Sequence, residues 1–248
     1  MIDEKNIIQE LEKNLMSFGF DPKVQNVGKV EKNTDGVVIA SGLSLATMGE
    51  RVAFENGTAG VVLNLDEDYV SIILLGEGDD IKEGYSVKRT GEMLSIEVSE
   101  DLLGRVINAL GHPLDGKTKP KKGKLMPLEK IAPGVVERVP VNTPLKTGIK
   151  AIDAMFPIGR GQRELIIGDR GLGKTAVAVD TIINQKKSKA GGKLRPVICI
   201  YVAIGQKRST IAQIVGKLTE NEALDYTVVV AASASDPAAL QYLSPYAG

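Results

Sequence analysis

The stretch IIGDRGLGKTAV, residues 166–177, decides how the rest of this 248-residue chain is interpreted. It contains Gly168-x-x-x-x-Gly173-Lys174-Thr175, the phosphate-binding P-loop pattern. Glycines in such a loop let successive backbone N–H groups turn inward, and the following helix directs its positive end at the anion. The lysine reaches the β- and γ-phosphates, and the threonine hydroxyl is offered to Mg²⁺. The motif therefore predicts a nucleotide site over residues 168–175.

The context of the motif supports this prediction. From residue 163 the chain alternates between apolar strand-like runs and helical patterns, which predicts parallel strands joined by right-handed crossovers. The predicted order is a strand at 163–168, a helix at 173–187, a strand at 197–205, a helix at 209–220 and a strand at 226–232, with Ile211, Ile214, Val215 and Leu218 on one face of the second helix. Ser235-Asp236-Pro237 begins a further helix. Asp236 follows the third strand, where an acid could hold Mg²⁺, but its place before Pro237 favours the role of helix cap. The sequence ends at Gly248 soon afterwards, and we interpret this end as a truncation.

Two other segments precede this region. Residues 24–98 hold short β-rich runs separated by turn signals such as Asp35-Gly36 and Asn56-Gly57, which predicts a small closed barrel or a sandwich. Residues 3–18 carry apolar side chains at three- and four-residue steps, which predicts an amphipathic helix (Ile7, Leu11, Leu15 and Phe18). Periodicity alone leaves open whether that helix docks on its own domain or on a partner.

The composition of the chain argues against several classes of protein. Lys plus Arg and Asp plus Glu number 31 each, which argues against a generally basic nucleic-acid binder. The lysines of 117–124 lack accompanying aromatic residues and are interpreted as a solvated loop. No apolar run reaches the roughly 18 residues of a membrane span, and the charged N-terminus resembles neither a signal nor a transit peptide. The single Cys199 is expected to be a small buried hydrophobe, and His112 a turn residue.

Hydrolysis of a nucleotide needs more than a phosphate cradle. It requires an acidic residue that holds Mg²⁺ and a residue that orients the attacking water. The strand at 197–205 is followed by Gln206, an amide, and no apolar strand ending in an acid follows the P-loop. We therefore expect nucleotide binding without catalysis, and no residue of this chain is expected to be catalytic.

Longer runs identify a family. The segments LLGRVINALGHPLDG (102–116), IAPGVVERVPVNTPLKTGIKAIDAMFPIGRGQRELIIGDR (131–170), YVAIGQKRST (201–210) and ALQYLSPYAG (239–248) closely resemble the α subunit of F-type ATP synthase, from about residue 20 onward. Catalytic subunits of the rotary ATPases carry a Glu where this chain has Gln206. The resemblance implies that residues 1–22 are a stalk-contacting helix and residues 23–94 a β-barrel. Residues 95–248 would be an incomplete α/β RecA-like P-loop domain, ending before the metal-binding strand and the helical domain.

The resemblance also implies a role. Three α and three β subunits alternate around a rotating γ shaft, α binds Mg-ATP or Mg-ADP without turnover, and the N-terminal segment meets the δ or peripheral stalk subunit. The nucleotide-binding residues expected here are Gly168, Asp169, Arg170, Gly171, Leu172, Gly173, Lys174, Thr175 and Gln206, with Thr175 as the metal ligand. The expected location is the cytoplasmic face of the bacterial inner membrane, where the chain would contact the membrane only through the complex. That complex is expected to make ATP from a proton gradient, and a sodium gradient is the alternative.

One departure and two rivals accompany this interpretation. The family usually has Gln-Thr where this chain has Gly171-Leu172, which bears on nucleotide affinity. One alternative is an export-type P-loop ATPase. Gln206 argues against it, because such enzymes have an acidic residue at this position. The other is a truncated paralogue acting as a nucleotide-binding or assembly module, since the arginine that α lends to the catalytic site would lie beyond Gly248.

Overall fold

The computed structural model describes residues 26–76, 80–121, 123–186 and 196–248. The predicted helix at 3–18 lies outside these residues. Six antiparallel strands, running in the order β1-β2-β5-β4-β3-β6, close into a barrel: β1 (Val27–Thr34), β2 (Val37–Ser41), β3 (Glu50–Phe54), β4 (Ala59–Leu65), β5 (Tyr69–Leu74) and β6 (Ser86–Met93). Of the barrel and sandwich predicted from the turn signals, the barrel is the one that forms.

The barrel forms because its strands alternate and its turns have the required residues. In β2 and β5 every second side chain points inward, so Val38, Ala40, Val70 and Ile72 are buried in one apolar core. Asp35 and Gly36 join β1 to β2 with φ angles of 49° and 81°, the left-handed values that a two-residue hairpin turn needs.

One carboxylate is buried at the end of the barrel. Glu50 is 1% exposed and accepts hydrogen bonds from the Arg89 side chain at 2.9 and 3.1 Å and from Gly91 N at 2.7 Å. Burial by itself would raise the pKa of Glu50, but these bonds and those from Thr47 lower it. The cost of burying this charge is therefore offset by hydrogen bonds and by the opposite charge of Arg89.

The remaining elements form the second part of the described chain. The strands are β7 (Ser95–Val98), β8 (Val106–Ile107), β9 (Lys124–Pro127), β10 (Pro144–Leu145), β11 (Ile158–Gly159), β12 (Cys199–Gln206) and β13 (Thr227–Ser233). The helices are α1 (Lys150–Met155), α2 (Lys174–Asn184), α3 (Arg208–Glu220) and α4 (Ala238–Ala247). Short 3-10 turns span Glu100–Leu102, Val135–Glu137 and Leu224–Tyr226.

A parallel sheet of three strands, in the order β12-β13-β8, organises this part. All seven residues of the central strand β13 are buried, as expected for a parallel strand covered on both faces. One face packs on α2 and α3 through Val179, Ile211 and Leu218. The other face packs on α4 through Ala239 and Leu243, in a cluster that also includes the barrel-side residues Val61 and Ile73. The barrel and the sheet thus share one apolar interface.

The strand predicted at 163–168 is wrong. Residues 162–169 have no regular secondary structure, and Leu165 and Ile167 are 83% and 85% exposed. This segment pairs with no strand in the part of the chain that the structure describes. A strand exists only where a neighbour accepts its hydrogen bonds, so local β propensity alone does not form one here.

Candidate nucleotide-binding site

The P-loop motif lies at the start of α2. Gly171 and Gly173 have φ angles of 85° and 83°, a left-handed conformation that glycine adopts without steric cost. Gly173 occupies the N-cap position, and the helix begins at Lys174. The two glycines let the chain turn sharply from the exposed segment before the loop into the helix. Unpaired N–H groups at such a helix start attract an anion.

Lys174 is bonded to its own loop. Its ammonium nitrogen donates hydrogen bonds of 2.6 Å to the backbone carbonyl oxygens of Gly168 and Asp169. The lysine is half-buried, whereas Thr175, the next residue, is exposed. The side chain of Lys174 thus reaches back to the first two residues of the loop.

The two residues that depart from the family pattern offer no polar side-chain atom. Leu172 is 71% exposed. A Cβ atom added to Gly168 would lie 3.6 Å from Cδ1 of Leu172, so the two residues are neighbours in the loop. Asp169 and Arg170 are also exposed. Within residues 168–175, the side chains with polar atoms able to meet a phosphate or its metal are therefore those of Asp169, Arg170, Lys174 and Thr175.

The direction of α2 follows from one contact at its far end. The Tyr226 hydroxyl donates to the carbonyl oxygens of Ile182 and Ile183, at 3.0 and 3.1 Å. Tyr226 immediately precedes β13, so the C-terminal end of α2 lies at the amino end of that strand. The N-terminus of α2, with Lys174, therefore points toward the carboxyl end of the parallel sheet. Ligands of open α/β sheets bind at that end.

Gln206 lies at the same end of the sheet, as the last residue of β12. Its Nε2 donates to the Tyr201 hydroxyl at 3.3 Å. Its Oε1 is buried and accepts no hydrogen bond from the residues that the structure describes. No hydrogen bond joins Gln206 to residues 168–175 within the described ranges.

The prediction that Asp236 caps the last helix is wrong. Its Oδ2 accepts a 2.6 Å hydrogen bond from the backbone N–H of Ser233, and its Oδ1 lies 3.5 Å from Arg208 Nη2. Pro237 is the N-cap of α4, and among the described residues no side chain caps that helix. Asp236 therefore ties the end of β13 to the start of α3, because its two oxygens reach one group on each.

A groove of about 850 Å³ lies beside this ion pair, between α3 and the β8 edge of the sheet. Arg208, Ser233 and Asp236 line it, and residues 168–175 do not. Neither Tyr201 nor Arg208 is among the site residues that the motif predicts. Tyr201 carries a hydroxyl inside an otherwise apolar run, and this was the available signal for a polar role.

Among the described residues no cluster of three His, Cys, Asp or Glu side chains could hold a metal ion. No helix in the described part of the chain combines the length and apolar character needed to span a membrane. Cys199 is buried and free, as predicted, and burial raises the pKa of its thiol to about 11.

Comparison with known families and curated proteins points to one group. Residues 23–91 match the model for the ATP synthase alpha/beta family, beta-barrel domain, and residues 148–248 match the model for the nucleotide-binding domain of the same family. ATP synthase subunit alpha of Parabacteroides distasonis is 57% identical over 232 residues, which is 91% of this chain and 43% of that protein. The corresponding subunit of Caldanaerobacter subterraneus subsp. tengcongensis is 52% identical over 247 residues, which is 100% of this chain and 47% of that protein.

The chain spans a little under half the length of these two relatives. Both parts of the observed fold match their own family model: the barrel precedes the α/β part that contains the P-loop, in the order that the two models follow. The barrel and the nucleotide-binding part match models of one family, and the two relatives are alpha subunits. The chain therefore belongs to the ATP synthase alpha/beta family, and its similarity is to the alpha subunits of that family.

Proposed function

We propose that this chain is a non-catalytic α-type subunit of an F-type ATP synthase and that it binds Mg-ATP or Mg-ADP at residues 168–175. The observation that carries the proposal is the placement of Lys174. It stands at the N-terminus of α2, after two glycines with positive φ, and α2 points toward the carboxyl end of a parallel sheet. Fixed cationic and N–H groups at such a place favour a phosphate chain.

Each residue of the site has a defined role in this proposal. The N–H groups of the loop surround the phosphates, and Lys174 exchanges its two carbonyl partners for phosphate oxygens. Thr175 offers its hydroxyl to Mg²⁺, which neutralises phosphate charge when bound. Asp169, Arg170, Gly171 and Leu172 form the wall of the loop, and Gln206 lies near the terminal phosphate.

The non-catalytic part of the proposal depends on Gln206. A neutral amide donates and accepts hydrogen bonds but takes up no proton at neutral pH, so it does not serve as a general base. In this role the chain contributes to an alternating ring with β subunits around a γ shaft and contacts the δ or peripheral stalk. The assembly is proposed to be peripheral on the cytoplasmic face of the bacterial membrane and to use a proton gradient.

Titration of the 248-residue chain with ATP and with ADP, each with and without Mg²⁺, tests the proposal. We expect saturable binding of one nucleotide per chain that weakens when Mg²⁺ is removed. Phosphate release is measured in the same samples, and none is expected. Failure of the folded chain to bind either nucleotide would contradict the proposed site, and phosphate release that Lys174→Ala abolishes would contradict the non-catalytic role.

A further inference from the structure

The phenol of Tyr201 and the amide of Gln206 meet on the face of β12 that α2 and α3 cover. Tyr201 is 9% exposed and packs in one cluster with Val179 of α2 and Ile211 of α3. In a regular strand, residues 201 and 206 would point to opposite faces. The register against β13 shifts between Ile204 and Gln206, at Gly205 with φ 64°, and this bulge turns Gln206 toward Tyr201.

This pair leaves one amide atom without a partner among the described residues. The Tyr201 hydroxyl accepts the hydrogen bond from Gln206 Nε2. The buried Oε1 of Gln206 accepts no hydrogen bond from the described residues. If the amide were turned over, Oε1 would accept from the phenol and Nε2 would be the atom left over, because a hydroxyl bonds either one. A buried amide oxygen without a hydrogen bond costs about 1–3 kcal/mol. The arrangement is therefore completed by a group that the described residues do not supply.

The position of this amide indicates what that group is. Gln206 ends β12 at the carboxyl end of the parallel sheet, toward which the N-terminus of α2 and Lys174 also point. An amide oxygen accepts hydrogen bonds and does not bond phosphate oxygens directly, since both are acceptors. A water molecule bound to the terminal phosphate or to its cation satisfies both sides.

We propose that Tyr201 is a positioning residue: by holding Nε2 of Gln206, it presents Oε1 to a water molecule on the terminal phosphate of a bound nucleoside triphosphate. This inference rests on the proposed nucleotide site and adds discrimination between a triphosphate and a diphosphate. Tyr201 touches no ligand itself. Its effect passes through the orientation of the Gln206 amide, which is free to rotate once the phenol hydroxyl is removed.

The test measures ATP and ADP affinities of the full chain for Tyr201→Phe, Gln206→Ala and the double variant. Tyr201→Phe should weaken ATP binding by about 3- to 10-fold, the loss expected for one hydrogen bond, and change ADP binding less than about 2-fold. The double variant should bind ATP no more weakly than Gln206→Ala alone, because the phenol acts only through the amide.

Tyr226→Phe is the matched control. It removes the hydroxyl of another buried tyrosine of the same domain, one that bonds Ile182 and Ile183 at the far end of α2. This variant should lower the melting temperature and leave the ratio of ATP to ADP affinity unchanged. Should Tyr201→Phe fail to fold, Gln206→Asn tests the same contact, because the shorter amide does not reach the phenol.

Three results would overturn the inference. They are an unchanged ATP affinity in folded Tyr201→Phe, equal losses for ATP and ADP, or losses that add in the double variant. If the unmodified chain binds nucleotide and any of these results is found, only the role of Tyr201 is refuted, and the nucleotide site stands. Absence of binding by the unmodified, folded chain refutes the nucleotide site and the role of Tyr201 together.

Discussion

The ammonium nitrogen of Lys174 lies 2.6 Å from the carbonyl oxygen of Gly168, at the opposite end of the P-loop. With the equal bond to Asp169, this contact folds the loop around its own cation. A phosphate chain that enters the loop competes for a charge that is already hydrogen-bonded. The contribution of Lys174 to the free energy of nucleotide binding is therefore a difference between its bonds to phosphate oxygens and its bonds to the loop carbonyl oxygens.

Replacement of Lys174 by Ala should weaken ATP binding at least about 10-fold, because it removes the lysine that the motif places on the terminal phosphates. Isothermal titration with Mg-ATP measures the change. Lys217→Ala is the control, since Lys217 is an exposed cation on α3 that pairs with Asp180 at 2.8 Å. Equal affinities of Lys174→Ala and the unmodified chain would refute the assignment of the loop.

Replacement of Gln206 by Glu should not produce an ATPase. The new carboxylate supplies a base, but catalysis also requires a carboxylate that holds Mg²⁺ and a positive group that meets the developing charge. Phosphate release with Mg-ATP in excess is the measurement, with Lys174→Ala/Gln206→Glu as the background control. Turnover that depends on Lys174 would show that the remaining chemistry is present in this chain.

Replacement of Asp115 by Asn should destabilise the folded chain at neutral pH by more than a change at an exposed aspartate does, because the Arg105 guanidinium loses its charged partner. Arg105 binds Asp115 through two hydrogen bonds of 2.6 and 3.0 Å, and both side chains are almost 90% buried. Denaturant unfolding of the variant beside Asp68→Asn, which changes an exposed turn residue, measures the loss. A loss no larger than that of the control would contradict the argument.

The same ion pair predicts a pH dependence. The hydrogen bond from Arg105 holds the pKa of Asp115 well below its usual value near 3.8, despite the opposing effect of burial. Because the folded-state pKa is the lower one, the stabilisation is complete above pH 4 and is lost as the pH falls further. The unmodified chain should therefore lose more stability below pH 4 than Asp115→Asn does, and parallel curves for the two proteins would argue against this.

Replacement of both Leu11 and Leu15 by Asp should abolish binding to the stalk subunit and leave ATP affinity unchanged. The apolar stripe of residues 3–18 is expected to dock as a helix in a groove, where two carboxylates would be desolvated without partners. Binding of the stalk subunit is measured by titration. The control variant changes Glu4 and Glu12, which lie outside the stripe, to Gln. Stalk affinity that survives deletion of residues 1–20 would exclude this role.

The open edge of β12 predicts self-association. In the described sheet this strand pairs only with β13, and Ile200 and Ile204 are 48% and 43% exposed. An apolar strand with one unpaired edge is a template for another chain. Ile200→Lys should lower the fraction of oligomer seen by size-exclusion chromatography, whereas Leu114→Lys, at an exposed leucine outside this strand, should not. A monomer at all concentrations before mutation would refute the prediction.

Local sequence determined much of this molecule. The hairpin at Asp35-Gly36 follows from residues that accept positive φ, and the barrel core follows from alternation of apolar side chains. The helix start at Lys174 follows from the glycine spacing of the loop. Each of these features depends on residues a few positions apart, so a single sequence contains the information.

Tertiary structure decided the remainder. The two residues of β8 become a strand because β13 offers them hydrogen bonds, whereas the longer segment 163–168 finds no such neighbour among the described residues. The bulge at Gly205 sets which face Gln206 occupies, and Asp236 bonds Ser233 and Arg208 instead of capping a helix. These outcomes depend on partners distant in sequence, and local propensity does not specify which partner a strand or a side chain will meet.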